Sequence, residues 1–86
     1  MRSAKKNLPS FALDLAAAVR KQRKVLKLTQ IALGKFAGCG ADFIYDLENG
    51  KPTVRLDKLI DVLTILGLQL TLEPGKQVLK ISERLR

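Results

Sequence analysis

The chain has 86 residues, a net charge of +8, one cysteine and no histidine. That length fits one domain burying roughly 60–65% of its unfolded surface, a margin at which association with a second copy is a common remedy. The cysteine count excludes a disulfide framework or an ordinary Cys/His zinc site, and the longest apolar run, Leu15 to Val19, is too short for a signal peptide or a membrane span.

A reduced, intracellular protein with no cofactor is therefore expected. Its charge is uneven. Residues 1–28 hold eight Lys/Arg against Asp14, and residues 76–86 hold four against Glu83, whereas residues 29–75 hold four basic and six acidic residues. Basic ends of this kind point to a polyanionic partner, most often nucleic acid.

Residues 1–9 are polar and end in Pro9, which predicts a flexible basic arm. Ser10 is then an N-cap, and Leu15, Val19 and Leu26 recur at helical spacing through about Lys27. Arg20, Lys21, Arg23, Lys24 and Lys27 surround the rest of that first helix. Thr29 caps a short second helix containing Ile31, Leu33 and Phe36. Gly34 within it costs about 1 kcal/mol against Ala, which implies close packing by another backbone. Ala37-Gly38-Cys39-Gly40 forces a tight turn, with Cys39 as a small buried hydrophobe. A third helix follows over about 41–48, with Phe43, Ile44 and Leu47 as its stripe and Asn49-Gly50 as its stop. Thr53 caps a fourth helix ending at Gly67, with Leu56, Leu59, Ile60, Leu63 and Leu66 facing the core and Val62 and Ile65 on a second side.

Next comes "LGLQLTLEP", where Leu68, Leu70 and Leu72 alternate with Gln69, Thr71 and Glu73 and Pro74 closes the run. The period of two predicts a half-buried strand. A lone strand is not stable, so pairing with the same strand of a second copy is inferred, with Val62, Ile65, Leu68, Leu70 and Leu72 at the homodimer interface. The last stretch, "GKQVLKISERLR", reads equally as a short helix or a basic tail. The expected fold is thus an all-α core of four to five short helices plus one C-terminal strand pairing across a homodimer. Its divisions are an arm (1–9), a helical domain (10–67), a dimerisation strand (68–74) and a tail (75–86).

Helices two and three with a glycine turn between them describe a helix-turn-helix. "LTQIALGKFAG" followed by "FIYDLENGKP" resembles the repressor-like helix-turn-helix family often called Xre-type, over residues 11–67. Within it, "ENGKPTVRLDKLIDVLTILGLQL" is most similar to the HipB-type antitoxins, which pair a four-helix DNA-binding core with a C-terminal dimerisation strand and a HipA-type kinase-fold toxin. The resemblance implies that Gln30 braces against the DNA backbone and that Asn49, Lys51 and Arg55 hold phosphates. It assigns the reading face to Gly40, Ala41, Asp42, Tyr45 and Asp46, and implies a structural ion pair between Arg23 and Glu48.

The reading face is acidic, which departs from the Arg, Gln or Ser common in related domains. Asp42 complements the dipole of its helix, worth about 0.3–1 kcal/mol. Asp46, four residues on, repels it by about 0.2–0.5 kcal/mol. Either Asp46 accepts a hydrogen bond from cytosine N4, or this helix reads little sequence and DNA shape supplies the specificity. The function expected is a cytoplasmic, nucleoid-associated DNA-binding antitoxin and autorepressor that binds an inverted repeat in double-stranded DNA as a homodimer. A stand-alone repressor and a protein-only antitoxin or adaptor are the alternatives, and an enzyme is not expected.

Overall fold

The computed structural model describes residues 2–72, 74 and 79–83. Four helices, α1 (Arg2–Val25), α2 (Gln30–Ala37), α3 (Ala41–Glu48) and α4 (Leu56–Leu66), are followed by strands β1 (Leu68–Leu72) and β2 (Leu79–Glu83).

Helix α1 begins eight residues before the expected Ser10 cap and passes through Pro9. Residues ahead of the proline, among them Ala4, Lys5 and Lys6, favour helix, and the cost of Pro9 is local: the donor that would have reached the Lys5 carbonyl is lost and a proline ring crowds that same carbonyl. Ala12, Leu15, Ala16 and Val19 form its buried stripe. The helix stops at Val25, so Leu26 lies in the turn, 44% exposed, rather than on the core face. The N–H of Leu28 donates to the Arg23 carbonyl at 3.0 Å and that of Lys27 to the Lys24 carbonyl at 2.9 Å, which closes the helix in a Schellman turn. Lys27 takes the left-handed position of that turn with φ 60°, where glycine is the usual occupant.

Thr29 caps α2 as its sequence position implies, its hydroxyl accepting from the Ala32 N–H at 2.9 Å. Leu33, Gly34 and Ala37 are buried, whereas Ile31 and Phe36 face outward. The same Schellman wrap ends α2: the Gly34 carbonyl accepts from Cys39 at 3.0 Å and from Gly40 at 3.2 Å, with Gly38 left-handed at φ 71°. A Cβ on Gly34 would stand 2.5 Å from the Gly40 carbonyl carbon and 2.8 Å from the Ala41 nitrogen, so glycine is required by a backbone approach. Helix α3 buries Ile44 and Leu47, leaves Phe43 half-buried, and ends at Asn49, whose side-chain N–H donates to the Tyr45 carbonyl at 2.7 Å.

Two expectations about α4 are corrected. Its N-cap is Arg55, not Thr53, and no side chain bonds the cap. Its core face is Leu59, Val62, Leu63 and Leu66, while Leu56 is 65% exposed and Ile60 43%. The buried face is the i, i+3, i+4, i+7 series that starts at Leu59, which is rotated about the helix from the equally wide series that starts at Leu56. Val62, at 0% exposure, is enclosed in its own molecule and cannot pack across a dimer axis. The Gln22 side chain donates to the Leu66 carbonyl at 3.0 Å and ties α1 to the end of α4.

Strand β1 forms where the alternation places it, but its partner belongs to the same chain. β1 and β2 pair antiparallel, with Leu68 opposite Glu83, Leu70 opposite Ile81 and Leu72 opposite Leu79. Residues 79–83, read as a helix or a basic tail, thus remove the premise that β1 lacks a partner. Leu68 is buried, and Leu70 and Ile81 pack half-buried against the same core as the helices. The mean plane of the hairpin therefore covers the core beside α4, and Leu72 emerges 78% exposed at its far end.

Candidate nucleic-acid interface

The site is set by the end of α1, the start of α2 and the end of α3, which one guanidinium joins. Arg23 Nε donates to Glu48 Oε2 at 2.6 Å, Nη2 to Glu48 Oε1 at 2.9 Å, and Nη1 to the Leu28 carbonyl at 2.9 Å. The two side chains are 11% and 4% accessible, so the expected ion pair is present and nearly closed from water. The hydrogen bonds that Glu48 accepts hold the Arg23 guanidinium above its ordinary pKa, against the opposing pull of desolvation. Gln30 completes the cluster by donating to Glu48 Oε1 at 3.2 Å. One of its two amide N–H groups is committed there, and the other is open to a further acceptor. Directly above it, the first N–H groups of α2 have no intrahelical acceptor, the arrangement that favours an anion.

Helix α3 presents Gly40, Ala41, Asp42, Tyr45 and Asp46 away from Ile44 and Leu47, with Asp42 and Tyr45 exposed and Ala41 and Asp46 half-buried. Of the five residues to which the resemblance assigns the reading face, Gly40 is the N-cap of α3, and Asp42 and Tyr45 are the two exposed ones within the helix. Asp46 has a partner that the sequence reading did not give it: Lys51 Nζ lies 3.6 Å from Asp46 Oδ2, and the Lys51 N–H donates to the Asp46 carbonyl at 3.1 Å. Arg55 is engaged likewise. Its Nη2 donates to Asp57 Oδ2 at 2.7 Å and its Nε to Oδ1 at 3.2 Å. Arg55 chiefly, with the Lys58 N–H assisting, lowers the pKa of Asp57. Phe43, Asp46, Lys51, Thr53, Val54 and Arg55 line one open cleft of about 420 Å³ beside the reading face. Asn49 is exposed at the end of α3, with one donor used in capping that helix.

Two contributors were not evident in the sequence. Asp57 follows Arg55 by two residues, a spacing without meaning until the chain turns into α4. Lys58 Nζ donates to the Gly38 carbonyl at 3.2 Å and so braces the turn between α2 and α3 from α4. Cys39, half-buried in that turn, has its thiol pKa raised chiefly by burial, with Asp61 adding to the effect and Lys58 opposing it.

Of the residues assigned to a dimer interface, Val62 and Leu68 are core and Leu70 is half-buried against it. Ile65, at 39%, and Leu72, at 78%, remain exposed. Among the described residues no helix is long and apolar enough to cross a membrane, and no group of three or more potential metal ligands gathers.

Two short helices held about a backbone-packed glycine turn, the second with its outer face clear of the core, define a helix-turn-helix protein. No protein-family profile matches the chain. An uncharacterized HTH-type transcriptional regulator of Sinorhizobium fredii (strain NBRC 101917 / NGR234), y4mF, is 45% identical over 65 residues, which cover 74% of this chain and 86% of the relative. The chain belongs to the HTH-type transcriptional regulators.

Proposed function

We propose that the protein is a transcriptional repressor that binds double-stranded DNA, placing α3 in the major groove with the amino end of α2 against the phosphate backbone. The outward face of α3 carries this reading: Gly40, Ala41, Asp42, Tyr45 and Asp46 project from a helix whose opposite side is locked into the core. Basic residues outside that face supply the sequence-independent affinity. The protein acts as a homodimer on an inverted repeat whose halves lie about 34 Å, one helical turn, apart. Support for the dimer now comes from the exposed Ile65 and Leu72 and from β1, which has a neighbour on one edge only in the two-stranded sheet. The cell compartment that follows is the cytoplasm, at the nucleoid. Titration against the natural upstream DNA and a scrambled duplex at two salt concentrations tests the reading. Negligible binding to both at low salt would overturn it and promote a protein-only adaptor.

A second reading, an antitoxin that also neutralises a HipA-type kinase, rests on the likeness of residues 48–70 to HipB-type antitoxins and on a strand following α4 directly. Co-expression with the product of the adjacent gene tests it. A kinase-fold neighbour that co-purifies with the protein supports the antitoxin, and its absence leaves a stand-alone repressor.

A further inference from the structure

Both cations that flank the reading face are already occupied by carboxylates of the same chain. Lys51 has Asp46 at 3.6 Å and Arg55 has Asp57 at 2.7 Å. Neither arrangement resembles the Arg23–Glu48 pair. The side chains are 52% and 47% accessible in the first and 70% and 64% in the second. Exposed pairs of this kind add little to folding, and each can be exchanged for another anion at small cost. A carboxylate and a phosphate present the same chemistry to an ammonium or guanidinium, namely paired anionic oxygens.

We propose that Asp46 and Asp57 are internal counter-ions, occupying Lys51 and Arg55 in the free protein as backbone phosphates do in the complex, and that they thereby set the protein's discrimination between its operator and other DNA. This rests on the DNA-binding reading above. A free lysine that meets a phosphate releases a condensed counter-ion from the DNA, and affinity rises accordingly. A lysine that must first leave a carboxylate gains less, because the abandoned carboxylate needs a new partner. Asp46 projects from the reading helix, so its new partner must come from the groove. A cytosine N4 amine supplies a donor there, while a base without one leaves Asp46 facing anionic surroundings. The acidic reading face of a basic protein then has a use. It subtracts affinity everywhere and returns it where the groove offers a donor. Asp57 lies outside the reading helix, at the start of α4, and lowers affinity for all sequences alike.

The test is a double-mutant cycle on DNA binding, with the full chain and with folding of each variant checked by circular dichroism. Asp46→Asn is expected to tighten binding to a scrambled duplex about two- to five-fold, the range an exposed pair supports. The natural site should gain less, and the salt slope should steepen by up to about one. In a Lys51→Gln background the gain from Asp46→Asn should fall to the smaller part owed to Asp46 facing the groove, because no pair is left to release. Asp57→Asn should tighten both duplexes equally, and Arg55→Gln should abolish that gain. An Asp46→Asn gain that persists at full size beside Lys51→Gln would mean direct repulsion of phosphate, and would overturn the proposal. So would no gain in a protein that binds DNA. If neither the unaltered protein nor Asp46→Asn binds either duplex at low salt, the DNA reading itself falls and the proposal falls with it.

Discussion

Replacing Arg23 with methionine isolates the contact that fixes the site. The substitution removes the bonds of 2.6 and 2.9 Å to Glu48 and the 2.9 Å bond to the Leu28 carbonyl. It leaves a carboxylate of 4% accessibility with the 3.2 Å bond from Gln30. Breaking a buried pair costs about 3–5 kcal/mol. Each residue taken whole is half-buried, which places this one at the lower end, about 3 kcal/mol. At about 0.05–0.15 kcal/mol per residue, a chain of this length has about 4–13 kcal/mol in all, so a quarter to three quarters of its stability is at stake. Urea unfolding followed by circular dichroism measures the loss. With a slope of about 1–1.5 kcal/mol/M, the midpoint falls by about 2–3 M. High salt should not rescue the variant, since a covered pair is screened far less than an exposed one. Changing Glu48 to leucine in the same molecule should recover most of the loss, because the stranded charge is gone. A cost below about 1 kcal/mol for Arg23→Met alone would refute the assignment of a desolvated pair.

Three further outcomes follow from the geometry. Gly34→Ala places a methyl 2.5 Å from the Gly40 carbonyl carbon, and the turn must open; a loss of about 3 kcal/mol or more is expected in thermal unfolding, and an unchanged melting temperature would contradict the backbone approach. Lys27→Gly relieves a left-handed lysine at φ 60° and should raise stability by about 0.5–1 kcal/mol, or a few degrees in Tm, whereas a fall in Tm would show that the lysine side chain contributes more than its backbone costs. Cys39 has a raised thiol pKa when folded, so the protonated form is favoured: its contribution to stability is complete below the unfolded value and is lost as pH rises through the folded one. Alkylation with iodoacetamide at mildly alkaline pH should accordingly be slower in the native protein than in urea, and equal rates would refute burial of the thiol.

Features fixed by short-range chemistry could be read from the residues. Thr29 stands one position before an amphipathic run, and it caps α2. Gly34 interrupts a helix for which Ala is better suited, and a second backbone explains it. The Arg23–Glu48 pair, implied by the resemblance, has the partners expected. What failed depended on competition between elements. Residues 79–83 alternate as β1 does, but over five positions among charges, and only the hairpin register with Leu68–Leu72 selects strand over helix. The leucines of α4 satisfy two overlapping stripes, and packing against α2, β1 and α1 chooses the one that leaves Leu56 and Ile60 exposed. Pro9 suggested a boundary by its missing N–H, although one lost bond does not end a helix of 24 residues. The partner of Asp46 was hidden because Lys51 returns to it only through the bend at Asn49-Gly50.

The contact between Gly34 and the Gly40–Ala41 peptide sets the angle of α3 without using a side chain from its outer face. Ile44 and Leu47 hold the helix from beneath, and Arg23 and Lys58 brace its two ends through Glu48 and the Gly38 carbonyl. No side chain of Ala41, Asp42 or Tyr45 enters that frame, so under the proposed function target preference could be rewritten at these three positions while the scaffold keeps its shape. Duplicated copies of such a chain could drift to new operators one substitution at a time, each intermediate still folded. On the counter-ion proposal Asp46 lacks that freedom: altering it also unties Lys51, so a lineage that changed its operator at this position would change its appetite for all DNA in the same step.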